Sequence, residues 1–144
     1  MSFLFWQRIK MMECRDLVTI LRGGVNFELL KDFRFYFKEK MDKHYLSEWS
    51  FENGIPFIEV PKGFITDFGS IPNLFQSIIS PVGKPTKAYV LHDYLCELNK
   101  QGKIKRKDGD KIFLKALEIQ KVNRFKRYLT YFSVRVYALI KGIK

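Results

Sequence analysis

The chain has 144 residues, of which 47% are hydrophobic and 16% aromatic, and its formal net charge is +11. This length supports one hydrophobic core and predicts a single domain over 1–144. We expect neither an integral membrane protein nor a protein secreted by a signal peptide. No stretch reaches the ~18 uninterrupted apolar residues of a membrane span, and the N-terminus shows no small-residue cleavage site.

An N-terminal arm at 1–15 is followed by a β-rich segment at 16–68. Residues 17–21 and 25–30 are predicted to form a first hairpin, because the glycines between them permit the positive φ angles of a tight turn.

The next strand is predicted from aromatic alternation. Phe33, Phe35 and Phe37 alternate with Arg34, Tyr36 and Lys38. This two-residue period is typical of a strand whose phenylalanine face lies on the core. The charged segment at 38–50, which contains His44, predicts a connecting loop. Residues 49–51 and 55–60 are predicted to form a second hairpin, with Asn53-Gly54 as its turn.

A helical segment is predicted at 70–142. Ser70 is placed to cap a helix over 71–80, since its side chain can accept an unpaired backbone N–H. Thr86 is predicted to cap a second helix that ends near Asn99, and further helices are predicted at 107–122 and from Asn123. Strands first and helices last indicate the α+β class, with small antiparallel hairpins packed against three to four C-terminal helices.

The excess positive charge lies in the last third of the chain. Residues 100–144 contain 14 Lys and Arg against 3 Asp and Glu, while the first 99 residues are balanced. The last helix combines apolar and basic residues: Phe125, Tyr128, Leu129, Phe132, Val136 and Leu139 with Arg124, Lys126, Arg127, Arg135 and Lys141. An anionic partner is one interpretation: an acidic protein, or DNA or an anionic membrane surface bound through Arg124, Lys126, Arg127 and Arg135. The other is a solvated helix face that keeps the protein soluble.

A polar cluster is predicted where the strands give way to the helices. Asp67 and Ser70 follow an apolar run, and His92-Asp93 comes soon afterwards on a predicted helix. If the helices on either side of residue 103 form an antiparallel hairpin, His92 and Asp110 face each other. His92, Asp93, Asp67, Ser70 and Asp110 are therefore the predicted catalytic residues.

This residue set suits two kinds of chemistry. A carboxylate can orient His92, which then takes a proton from water or from Ser70 as a general base. Alternatively, Asp67, His92 and Asp110 can hold a divalent metal ion. In a catalytic site, Asp67→Asn or Asp110→Asn is expected to relieve repulsion and to keep or raise the melting temperature.

Each of these residues also has a structural interpretation. Asp67 can form an Asx-turn, Ser70 a helix cap, and His92 a hydrogen bond at a helix–sheet interface. The two cysteines, Cys14 and Cys96, lack zinc-ligand spacing and are expected to be free thiols.

The chain resembles the phage-associated domain of unknown function numbered 1353. The resemblance rests on Val60-Pro61-x-Gly63-Phe64-x-Thr66-Asp67-Phe68-x-Ser70-Ile71-Pro72, on Val90-Leu91-His92-Asp93-Tyr94-Leu95, and on Arg106-x-x-x-Asp110-x-x-Phe113. It covers roughly residues 16 to 142, with Gly69 where the family commonly has Ala. The resemblance implies a bacteriophage or prophage origin and places the predicted catalytic residues at the family's characteristic positions. It implies no settled activity.

Two main functions are compatible with these features. The first is a hydrolase of the phage particle or lysis programme that acts on an envelope component or a phosphoester, with His92 as base. The second is a non-catalytic tail or head accessory protein, whose basic C-terminal helices contact DNA, membrane or other phage structural proteins. A host-directed inhibitor made early in infection is a third. The expected location is the virion or the host cytoplasm.

Overall fold

The computed structural model describes residues 17–24, 26–37, 50–67 and 85–144. It divides the chain into two compact units, Met1–Ile65 and Thr66–Lys144. The N-terminal arm, most of the 38–50 segment, Ser70 and the helix predicted at 71–80 lie outside the described residues.

The strands come first in the chain and the helices last, which confirms the α+β class. The described strands are β1 (Thr19–Gly23), β2 (Asn26–Leu29), β3 (Phe33–Tyr36), β4 (Ser50–Glu52), β5 (Ile55–Val60) and β6 (Ile65–Thr66). The helices that follow are α1 (Thr86–Lys100), α2 (Arg106–Ile119) and α3 (Arg124–Ile140).

The strands form two antiparallel hairpins, as predicted from their turn residues. β1 pairs with β2 in a three-stranded sheet of order β1-β2-β6, and β4 pairs with β5 in a second sheet of order β3-β5-β4. The turn between β4 and β5 contains Asn53 at φ 52° and Gly54 at φ 78°. Positive φ at both positions is what a two-residue hairpin turn of the right twist requires.

The β3 strand is buried more completely than its sequence period predicts. Phe33 and Phe35 are 2% and 3% exposed, as expected, but Tyr36 on the opposite face is also only 3% exposed. Tyr36 packs against Phe57, and its hydroxyl donates a hydrogen bond to Glu52. A second apolar cluster, formed by Tyr36, Ile55 and Phe57, thus covers the face of β3 opposite the phenylalanines.

In the C-terminal unit α1 packs on α2, and α2 packs on α3. The core is built from apolar residues at helical spacing on α1 and α2, all at most 4% exposed: Ala88, Leu91, Leu95, Leu98, Ile112, Phe113, Ala116 and Leu117. Ala88, Leu91, Leu95 and Leu98 already share one helix face by their spacing in the sequence. Thr86 begins α1, but the cap position itself is Pro85 and makes no side-chain hydrogen bond. Asn123 caps α3 by accepting a hydrogen bond from the Phe125 amide at 2.9 Å.

Candidate functional site

A buried carboxylate, Asp110, lies at the centre of the C-terminal unit. α2 places it on the helix face that meets α1 and α3, and it has no exposed surface. One carboxylate oxygen, Oδ1, lies 2.7 Å from His92 Nε2 and accepts a hydrogen bond from Arg106 Nε at 3.0 Å. The other, Oδ2, accepts from Arg135 at 2.9 Å. We call these four residues the histidine cluster, and they join all three helices.

Asp110 is held as an anion by its neighbours. Burial alone raises the pKa of a carboxyl group, but His92, Arg135 and Arg106 donate hydrogen bonds and positive charge to it. The net effect lowers the pKa of Asp110 below its ordinary range.

His92 lies on the buried face of α1, where its side chain is 7% exposed. Its ring packs against Phe113, with ring centroids 4.3 Å apart and an interplanar angle of 30°. The Cys96 sulfur lies 3.9 Å from Nδ1 and 3.8 Å from Nε2, one helical turn further along α1. With Asp110 on one nitrogen and Phe113 against the ring, the imidazole is fixed in orientation.

The environment of His92 favours its protonated form. Burial lowers the pKa of an imidazole, but the neighbouring Cys96 and Asp110 more than offset that effect and raise the pKa of His92 to about 9. These contacts suit an imidazolium that forms an ion pair with Asp110.

The next residue on α1, Asp93, belongs to a second group of polar side chains. Its Oδ2 accepts a hydrogen bond from the Thr66 hydroxyl at 2.5 Å. Burial raises the pKa of Asp93 to about 6; Thr66 and His92 oppose that change, and the adjacent Asp67 adds to it. The neighbouring Asp67 disfavours a negative charge on Asp93. We call Asp67 and Asp93 the carboxyl pair.

The structure thus divides the predicted site residues into two groups. His92 and Asp110 are in direct contact, whereas Asp67 lies with Asp93 in the carboxyl pair. In the part of the chain that the structure describes, no group of three or more His, Cys, Asp and Glu side chains is arranged to hold a metal ion. Both oxygens of Asp110 are already engaged by arginine.

Two members of the histidine cluster, Arg106 and Arg135, were not predicted as site residues. Arg106 precedes Asp110 by four residues on one helix, a spacing that brings the two side chains together. Arg135 is the lone charged residue between Tyr128 and Ile140, and a cation in such an apolar stretch indicates a buried partner.

Arg135 also differs from the other basic residues predicted to bind an anionic partner. Its side chain is 18% exposed and pairs with Asp110. Arg124 and Lys126 are exposed, and Arg127 lies over the Tyr128 ring at 5.6 Å. Of the four basic residues predicted to contact an anionic partner, Arg135 thus has Asp110 as its counter-ion, whereas Arg124 and Lys126 are exposed.

None of the helices within the described residues combines the length and the apolar character needed to cross a membrane. A search of curated proteins and a search of solved structures each gave no match. The sequence profile of the family described as "Protein of unknown function (DUF1353)" matches residues 44–134, more than half of the chain. The match includes the carboxyl pair and the histidine cluster up to Asp110, and it ends one residue before Arg135. The chain belongs to the DUF1353 family of proteins of unknown function.

Proposed function

We propose that the protein is a small hydrolase of carboxylic or phosphate esters. The observation that carries this proposal is the imidazole–carboxylate pair of His92 and Asp110, clamped by two arginines and adjacent in sequence to the carboxyl pair. Carboxylate-oriented imidazoles and perturbed carboxyl groups are the usual proton-transfer groups of hydrolases.

The charge states favour a different division of roles from the one predicted from the sequence. With its pKa raised to about 9, His92 serves as the acid that donates a proton to the leaving group. Asp93, with its pKa raised to about 6, is the base that takes a proton from the attacking water. Asp67 tunes the basicity of Asp93, and Arg106 and Arg135 keep Asp110 ionised beside His92.

The pH dependence and one substitution test these roles. Hydrolysis of chromogenic carboxylic and phosphate esters should rise with pH through about 6, as Asp93 ionises, and fall through about 9, as His92 loses its proton. Asp93→Asn should abolish hydrolysis. Asp108→Asn, a half-buried carboxylate in the first turn of α2, is the matched control and should leave the rate unchanged.

The same Asp93→Asn variant should be more stable than the wild type. A pKa raised from 3.8 to about 6 means that the ionised form is disfavoured in the folded state. The contribution of Asp93 to the free energy of unfolding is fully present below pH 3.8 and is lost as the pH rises to about 6. This loss amounts to at most roughly 3 kcal/mol. A variant that gains stability but loses activity indicates that the replaced residue lies in an active site. If Asp93→Asn hydrolyses esters as fast as the wild type, the proposal is wrong.

A phage particle or lysis programme, implied by the sequence resemblance, is the setting that we propose for this activity. Neighbouring genes that encode tail proteins, or a holin and an endolysin, would support it. Neighbouring genes that encode enzymes of cellular metabolism would contradict it.

A second candidate function is a non-catalytic accessory protein that binds an anionic partner. The exposed Arg124 and Lys126 at the start of α3 favour it. In that case Asp93→Asn would change stability without affecting phage assembly or growth.

A further inference from the structure

The α3 helix buries its small and polar residues. Thr130, Ser133 and Ala138 are its buried residues. The two hydroxyl groups donate to backbone carbonyls one turn earlier, Thr130 to Lys126 O at 2.7 Å and Ser133 to Leu129 O at 2.6 Å. Because these hydroxyls are satisfied within the helix, the polar face can be buried without unpaired donors.

Most of the large apolar residues of α3 are exposed instead, which reverses the usual orientation of an amphipathic helix. Phe125, Phe132 and Leu139 recur every seven residues and are 70%, 57% and 69% exposed. Together with three further exposed residues on the same face of the helix they form what we call the apolar stripe: Phe125, Tyr128, Phe132, Val136, Leu139 and Ile140. An exposed apolar surface of this extent marks an interaction site.

Basic residues border the apolar stripe, and α3 contains no acidic residue. Arg124 and Lys126 are exposed at its start, and Lys141 is exposed at its end, 5.9 Å from the Tyr137 ring. Helices that lie in the membrane–water interface typically combine basic residues with exposed aromatic rings.

We propose that α3 docks on an anionic lipid surface, lying in its plane with the apolar stripe at the headgroup–acyl boundary. The helix has 17 residues and is therefore about 25 Å long. Charge complementarity selects this partner: a second copy would bring like charges together, and a nucleic acid would leave the apolar stripe in water. The inference is independent of the chemistry proposed for His92, since the apolar stripe shares no residue with the histidine cluster or the carboxyl pair.

Vesicle binding by the full chain tests this proposal. The protein should co-sediment with vesicles of phosphatidylglycerol and phosphatidylcholine at about 0.1 M salt, and much more weakly with phosphatidylcholine alone. Phe132→Ser should weaken binding about tenfold, because one buried aromatic ring is lost. Phe51→Ser is the matched control: Phe51 is 60% exposed, lies in β4, and its replacement should have no effect.

The basic residues are tested by a second matched pair. Arg124→Gln combined with Lys126→Gln should weaken binding by roughly fivefold per cation. Lys103→Gln combined with Lys105→Gln, in the connection between α1 and α2, should change it by at most about twofold. All four residues are exposed, so circular dichroism should show the wild-type fold.

Three results would overturn the proposal. Equal binding to neutral and anionic vesicles would show that the charge of the lipid plays no part in docking. DNA binding that is lost in the Arg124 and Lys126 variant, without vesicle binding by the wild type, would assign the surface to nucleic acid. Dimers that Phe132→Ser dissociates, without vesicle binding by the wild type, would assign the apolar stripe to a second copy.

Discussion

Replacing Asp110 by asparagine removes the one negative charge of the histidine cluster and keeps the shape of the side chain. If Asp110 were a catalytic carboxylate among others, this change was expected from the sequence to keep or raise the melting temperature. The structure predicts the opposite, because the neighbours of Asp110 are two arginines and a histidine rather than other carboxylates, so that Asp110 is a structural counter-ion that orients His92. Asp110→Asn leaves the guanidinium groups of Arg106 and Arg135 without their counter-ion.

The expected cost follows from the burial of these groups. The Arg106 side chain is 9% exposed and that of Arg135 is 18% exposed, so neither can be fully hydrated without local rearrangement. Breaking a buried ion pair by removing one partner typically costs ~3–5 kcal/mol. We expect the lower end, about 3 kcal/mol, since the asparagine oxygen still accepts a hydrogen bond. For a chain of 144 residues this lowers the melting temperature by about 10 °C.

Thermal and urea unfolding measure this cost, with Asp108→Asn as the control. Asp108 lies in the first turn of α2, where its charge interacts mainly with the helix dipole, and its replacement should cost at most ~1 kcal/mol. Adding Arg135→Gln to Asp110→Asn should cost less than the sum of the single changes, because it removes one of the orphaned cations. If Asp110→Asn is no less stable than Asp108→Asn, the cluster is already hydrated and our account of it is wrong.

Two further predictions concern His92 and Gly109. In an NMR titration the His92 imidazole should show a pKa near 9, so that the stability it contributes is fully present below pH 6.5 and is lost as the pH rises through about 9. A value at or below 6.5 would mean that the arginines alone neutralise Asp110. Gly109→Ala should raise the unfolding free energy by ~0.5–1 kcal/mol, because Gly109 lies inside α2 and an added Cβ would meet the Leu95 Cβ at an ordinary 3.5 Å. A lower stability in urea unfolding would show that α1 and α2 pack too closely at this point for a methyl group.

The sequence by itself determined the local elements of the fold. Hairpin turns require positive φ, and Asn53-Gly54 supplies it within two residues, so the turn could be predicted without knowledge of its surroundings. The same is true of the buried faces of α1 and α2, which follow from apolar residues at helical spacing. The proximity of His92 and Asp110 could also be predicted, since a short connection between two helices brings their facing positions together.

Only the tertiary structure decided which partners these elements meet. The sequence indicated that Asp110 is one of several carboxylates that repel each other. In the structure its second oxygen accepts a hydrogen bond from Arg135, which lies 25 residues further along the chain. Tyr36 and the apolar stripe of α3 show the same limit in opposite directions, because packing buries Tyr36 and leaves the stripe exposed. Periodicity determines which residues share a face, because it arises from backbone geometry within one element. Whether that face is covered depends on packing between elements distant in sequence, which no local pattern contains.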